Sequence, residues 1–414
     1  MIEAGSRAYW RATIALLSGS LLVFANLYIT QPLMPVLAAD FRLSSAEASW
    51  ALSLSTATLA LALLIFGPLS DAFGRKWLMV ISMAGLCLAG GLVSQVDSYP
   101  QLLWLRALTG LCAGALPAIA MAYMGEEMSP AALAAAVGLY ISGNSLGGIS
   151  GRLIGGWGTS WLGWPDTFAL MALVSLVLWL LFVVLLPASC HFKPRPLVLT
   201  GVLKDYRRHC INPWLWPAYL LGGLNFMVFL NQYSYITFVL SDSPYSLDSH
   251  WLGMLFLTYL SGTVGAAYSG RWVRRWSSPG VMAVACLLLV SGTLLTLADS
   301  LAVIITGLLI NALAFFSAHS AASGWVSRHA GEGRGSASAL YFVSYYLGAS
   351  LGGSYLGLFW QNSGWPGVVL ASLVVLLVTF VLALRLLSLD KNNKPGRTRA
   401  YQCVAEPQTI TDGS

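Results

Sequence analysis

Three residues able to carry charge, Arg106, Arg152 and His319, stand deep inside long apolar runs of this 414-residue chain. An unpaired charge in an apolar medium is expensive, so such residues usually face a water-filled cavity and carry function. An arginine there offers a rigid donor fork to an anionic or hydroxyl-rich ligand. A histidine, with an ordinary pKa of about 6.5, suits proton carriage. Plainer roles exist for both types: Arg106 bonding helix-end carbonyls, and His319 as a neutral hydrogen-bonding ring between helices. Two runs add amides and phenols at mid-depth, namely Asn26, Tyr28 and Gln31, then Asn225, Asn231, Gln232, Tyr233 and Tyr235. Singly, each amide reads as an interhelical hydrogen bond worth roughly 0.6–2 kcal/mol. Together, beside aromatic rings, they read as a pocket lining. No Asp or Glu lies at the centre of any run, so a proton would have to use His319, Asp40 or the groups of the Gly67–Lys76 stretch. The six cysteines (Cys87, Cys112, Cys190, Cys210, Cys286, Cys403) lack metal-ligand spacing. The glycine-rich stretches follow no strand, which excludes a phosphate cradle and ATP-driven pumping. No cofactor, no metal and no catalytic residue is expected.

The elements that must position these groups are membrane helices. The chain is 57% hydrophobic and 9% charged, against roughly 25% charged in soluble domains. Apolar runs of about 20 residues suffice to cross a bilayer, and only a helix satisfies its own backbone there. The runs give twelve spans, near 13–38, 48–70, 77–96, 101–123, 135–158, 166–187, 214–240, 251–271, 279–298, 302–325, 336–360 and 365–387. An all-α polytopic protein follows: a terminus at 1–12, six helices over 13–187, a linker at 188–213, six helices over 214–387 and a disordered tail at 388–414. The first run is too long for a signal peptide and stays in the membrane. With both termini inside, all Lys and Arg except Arg42, Arg106 and Arg152 fall on the cytoplasmic side, as orientation by basic residues requires. Asp40, Glu47, Asp97, Asp166, Asp242, Asp248 and Asp299 occupy the outer loops. The linker carries Lys193, Arg195, Lys204, Arg207 and Arg208. Basic residues in short clusters between apolar runs point to a lipid bilayer and away from nucleic acid. The chain is expected to act as a monomer.

Between the second and third runs lies Gly67-Pro-Leu-Ser-Asp-Ala-Phe-Gly-Arg-Lys76. Bases at Arg75 and Lys76 would fix orientation in any surface turn. The full set, with Asp71 and with Gly67 and Gly74 to permit close approach and a sharp turn, reads instead as a gate element. The halves also align at a shift of 201 residues: Gln31 with Gln232, Trp50 with Trp251, Leu139-Tyr140 with Leu340-Tyr341, Gly147 with Gly348, Gly151 with Gly352, and Gly163-Trp164-Pro165 with Gly364-Trp365-Pro366. Such repeats mark transporters whose solute site lies at the repeat interface. The gate element's counterpart near Ala266–Arg275 keeps Arg271, Arg274 and Arg275 but no acid. Gly143, Gly147, Gly151 and Gly155 recur every four residues and form one helix face, with Arg152 one position away.

These residues resemble the major facilitator superfamily over essentially the whole chain. Gly67–Lys76 is similar to its signature between helices 2 and 3. Arg106-Ala-Leu-Thr-Gly110, with Gly114, resembles its helix 4 signature, and Gly147-x-x-x-Gly151-Arg-x-x-Gly155-Gly156 resembles the helix 5 signature of proton-driven exporters. Gln31-Pro32, Ile141-Ser-Gly-Asn-Ser-Leu-Gly147 (with Asn144), Arg152 and Ala318-His-Ser320 resemble the YnfM-type inner-membrane transporters, grouped with drug and sugar exporters. The resemblance implies a twelve-helix facilitator fold in a bacterial inner membrane, with alternating access and proton-coupled efflux of a small organic solute. It places Arg106 and Arg152 on neighbouring helices, able to share one basic region. It also sets Asp71 near the start of helix 11 and offers Arg75 either Glu126 or Glu127 as a partner. Where exporters have proline, this chain has Arg152. Two other readings stay open: a proton-coupled importer of a sugar or organic acid, and a transporter-like receptor or scaffold.

Overall fold

The computed structural model describes residues 1–192, 194, 199–331 and 333–392. Lys193 and Arg195 of the linker, and the tail beyond Asn392 with Cys403, lie outside the described residues. The chain is helical throughout: α1 (Arg7–Tyr28), α2 (Met34–Phe41), α3 (Ser45–Phe73), α4 (Arg75–Leu92), α5 (Tyr99–Ala113), α6 (Ala115–Glu127), α7 (Pro130–Leu162), α8 (Trp164–Leu185), α9 (Leu199–Cys210), α10 (Trp216–Ser241), α11 (Ser249–Met254), α12 (Tyr259–Trp276), α13 (Ser278–Leu295), α14 (Leu301–His329) and α15 (Arg334–Asn392).

Local chemistry accounts for the boundaries. Ser44 and Glu47 form a reciprocal capping box at the start of α3, satisfying two otherwise orphaned donors. The repeated Gly-Trp-Pro turns place Gly163 at φ 82° and Gly364 at φ 57°. That region suits glycine, so the shift-related turns share a positive φ at glycine as well as their sequence. Gly364 divides α15 into two helices. The last of these runs to Asn392, five residues into the stretch expected to be tail, and the linker contains the helix α9.

Nine helical stretches among the described residues are long and apolar enough to cross a membrane, counting Arg334–Asn392 once. Twelve were expected. The α10 helix, which carries Asn225, Asn231 and Gln232, and the α11–α12 stretch, rich in Gly, Ser, Thr and Tyr, are less apolar. Large apolar side chains such as Trp77, Trp104, Trp161, Leu173, Val184 and Leu377 are more than 60% exposed around the bundle, a surface suited to lipid.

Close packing of α7 on α1 depends on the glycine face. A Cβ on Gly143 would meet Leu17 and Ser20, on Gly147 Leu21, on Gly151 Ala25, and on Gly155 Ile29. Helix α7 therefore presses on α1 backbone to backbone through successive turns. The second half repeats this: Gly348 faces Gly223, and Gly352 faces Met227 and Asn231 of α10. Gly110 and Gly114 fit against Ser55 and Ala62 of α3 in the same manner.

The two halves meet away from the Gly67–Lys76 turn. Gln31 donates to Leu230 O (2.9 Å) and to Ser234 Oγ (3.0 Å) of α10. Gly156 packs on Ser249 and Gly253, Gly353 on Ser49 and Ser53, and Gly357 on Ala46. The Trp157 and His250 rings stack edge-on at 5.0 Å. At the other end, helix α9 reaches toward both halves. Its Tyr206 lies within electrostatic reach of Asp71, and a Cβ on Gly333 would sit 3.0 Å from His209 Nε2. Burial and the neighbouring Arg208 hold the His209 pKa below its ordinary value.

Candidate functional site

Arg152 lies in the seam between the halves and is 2% exposed. Its Nε donates to Gln31 Oε1 at 2.8 Å, and its Nη1 to Gly148 O at 2.8 Å. The guanidinium carbon faces three rings: Tyr28 at 4.1 Å, Tyr259 at 4.7 Å and Phe256 at 4.8 Å. Tyr28 comes from α1, whereas Phe256 and Tyr259 come from the second half, in the turn Leu255–Thr258 and the start of α12. Each cation–π contact is worth about 0.5–2 kcal/mol, more when desolvated. Among the described residues Arg152 has no ion pair. Tyr233 backs this box, with its hydroxyl held by Thr258 Oγ1 (2.7 Å) and Leu308 O (3.0 Å). The Tyr28 hydroxyl faces Tyr346. Asn144 accepts from Ser20 Oγ at 2.6 Å, one helix turn from Tyr140 and on the same side of α7.

Arg106 takes the plainer role. It is 1% exposed and donates to Asn26 O (2.8 Å), Leu27 O (2.6 Å) and Ala51 O (3.3 Å). The first two carbonyls end α1, just before Pro32 interrupts the backbone ladder. Arg106 thus acts as a cation cap that ties α5 to α1 and α3. Arg106 and Arg152 have separate partners, Arg106 the carbonyls that end α1 and Arg152 the side chain of Gln31 and the carbonyl of Gly148.

The polar residues of α1 and α10 divide in a similar way. Gln31 reaches Arg152, but Asn26 donates to Leu22 O and Ser175 Oγ on the α8 side. Gln232 donates to Thr293 Oγ1 and accepts from Asn311. Asn225 faces Cys286 of α13. One helix cannot turn all its amides to one seam, and of the expected set only Tyr28, Gln31 and Tyr233 lie about Arg152. His319 accepts from or donates to the Tyr341 hydroxyl through Nδ1 at 2.9 Å, and its ring lies 4.8 Å from Tyr345. The sequence reading missed Phe256, Tyr259, Tyr341, Tyr345 and Tyr346. The last three belong to a dense aromatic run, Tyr341-Phe342-x-x-Tyr345-Tyr346, which was their available signal.

At the gate element, Arg75 bonds Glu126 through Nη2 (2.6 Å) and Nε (3.1 Å), Asp71 through Nη2 (2.6 Å) and Ser70 Oγ through Nη1 (2.6 Å). Glu127 is not its partner. That carboxylate turns the other way and takes the backbone N–H and Nδ1 of His191 (2.8 and 2.9 Å). Lys76 caps Leu186 O at 2.5 Å. Gly74, at φ 103°, makes the turn. Gly67 has no neighbour within 4 Å of a Cβ, so the close approach expected there is absent in this conformer. Asp71 pairs with Arg75 and lies within electrostatic reach of Tyr206 on the linker helix; among the described residues it makes no ion pair with α15.

The family assignment is independent of this geometry. The sequence profile described as Major Facilitator Superfamily matches residues 16–353. The chain belongs to the major facilitator superfamily. Its relatives include the Escherichia coli inner membrane transport protein YnfM, 38% identical over 93% of this chain and 92% of that protein. Another is the uncharacterized MFS-type transporter YybF of Bacillus subtilis, 36% identical over 95% and 99%. Among solved structures, a bacterial homologue of the human lysosomal transporter Spinster, in an inward-facing and unoccupied conformation, superposes with a TM-score of 0.68. It shows 17% identity over 93% of this chain and 96% of that one. The protein is therefore a multi-pass membrane transporter by family, and not an enzyme.

Proposed function

We propose that this facilitator is a secondary transporter of the bacterial inner membrane that exports a small organic solute against proton entry by alternating access. It spans the membrane twelve times, with both termini in the cytoplasm. The observation that carries the reading is the placement of contacts between the halves. Gln31, Gly156, Gly353 and Gly357 join the halves from mid-depth to the end opposite Gly67–Lys76. The clustering of basic residues supports a cytoplasmic placement of the Gly67–Lys76 end, and on that reading this conformer is sealed outside. The latch of Asp71, Arg75 and Glu126 keeps its ion pairs within the first half. Those charges are free to engage the second half when the inner side closes. His319, bonded to Tyr341, is the proposed proton carrier.

Everted membrane vesicles with an imposed pH gradient test this. Solute accumulation that collapses with a protonophore is the expected result. Uptake only in right-side-out vesicles would replace export with import. No flux for any candidate solute would leave a binding scaffold.

A further inference from the structure

The geometry points to the Arg152 box as a subsite for a carboxylate on an organic monoanion with a ring or apolar body, an assignment that rests on the transport reading above. A buried guanidinium is costly without a counter-charge, and here its neighbours are one amide oxygen, one carbonyl and three rings. Nη2 has no acceptor among the described residues. The Tyr259 hydroxyl is also buried and unpartnered, on a ring that already faces the guanidinium. Nη2 and the Tyr259 hydroxyl are thus unused donors on neighbouring groups, with no acid among the described residues to answer them, and a planar carboxylate can take the remaining N–H groups of Nη1 and Nη2 together.

A single uncompensated cation selects one negative charge. The surrounding rings select the body, since Phe226, Phe229, Phe315 and Tyr345 continue the aromatic wall behind the box, with Phe229 and Phe315 stacked at 4.1 Å. Two of the three rings on Arg152 belong to the second half. A carboxylate seated there would be held by Arg152 of one half and the Tyr259 hydroxyl of the other, so its binding would couple to how the halves meet.

The test uses the full chain in lipid nanodiscs, with benzoate as probe, benzamide as its neutral isostere, and sodium phosphate as an inorganic anion. Benzoate should bind at least tenfold tighter than benzamide. Arg152→Gln should erase that preference, and Arg152→Lys should reduce it at least tenfold for want of the fork. Tyr259→Phe guards against misfolding, because the lost hydroxyl holds nothing up. It should unfold at the same or a higher temperature yet weaken benzoate several-fold. Equal binding of benzoate and benzamide, a preference surviving in Arg152→Gln, unchanged benzoate affinity in Tyr259→Phe, or phosphate competing as well as benzoate would each overturn the assignment. Charge-selective binding without flux in proteoliposomes would remove the transport reading and leave the subsite standing. Flux without charge preference would do the reverse.

Discussion

The close contact of α7 with α1 makes a quantitative prediction from two alanine substitutions on one helix. At Gly151 a Cβ would stand 2.5 Å from Ala25 Cα and closer still to its carbonyl oxygen. Ordinary carbon contacts need about 3.5 Å, so the helices must part by roughly 1 Å. The 2.8 Å bond from Arg152 to Gln31 would then stretch beyond useful hydrogen-bonding range. At Gly138, also on α7, a Cβ meets nothing within 4 Å. Both alanines gain about 1 kcal/mol of helix propensity, and only Gly151→Ala adds an overpacking cost of about 1–3 kcal/mol. The neighbour is backbone and cannot rotate away, which places the difference toward the upper end of that range. Unfolding in mixed micelles by SDS titration, followed by tryptophan fluorescence, measures it directly. Gly138→Ala should match or exceed the native protein, with Gly151→Ala about 2–3 kcal/mol below it. Equal stability of the two variants would refute the glycine face as a contact surface.

Other consequences follow from the same geometry. Arg106→Leu strands buried carbonyls at the end of α1 and should cost about 2–4 kcal/mol in the same titration. It should leave the ratio of benzoate to benzamide affinity intact, unlike Arg152→Gln. Asp71→Asn should slow transport severely while the protein still inserts and folds; native flux in that variant would remove Asp71 from the gate. The Glu47 carboxylate, held below its ordinary pKa by the Ser44 backbone N–H and hydroxyl, lends stability that is present above its unfolded pKa. That contribution is lost as pH falls through the lower folded value. Native protein and Glu47→Gln should therefore differ in thermal stability at neutral pH and converge in acid.

Part of this architecture was legible because membrane helices obey short-range rules. The four-residue spacing of Gly143, Gly147, Gly151 and Gly155 specifies one helix face, and that face meets α1. The shift of 201 residues carried over to the Gly163 and Gly364 turns because both need a positive φ. Rotational detail was less accessible. Glu126 and Glu127 are adjacent, and only the end of α6 decides that one meets Arg75 and the other His191. Gln31 and Gln232 are repeat equivalents, yet one spans the seam to Leu230 and Ser234 and the other binds Thr293 and Asn311 inside its own half. The rings of Phe256 and Tyr259 could not be paired with Arg152 from sequence, since their contact is a long-range product of how the halves meet.

Alternating access requires the halves to rock about this seam. Spin labels report it at two sites: Trp157 with His250 on the sealed side, and Gly125 with Gly335 at the Gly67–Lys76 end, where a Cβ has open space. In nanodiscs the two distance distributions should change reciprocally. Conditions that lengthen the Trp157–His250 distance, such as a change of pH, added benzoate or Asp71→Asn, should shorten the Gly125–Gly335 distance. A single unchanging distance at both sites under all these conditions would contradict alternating access.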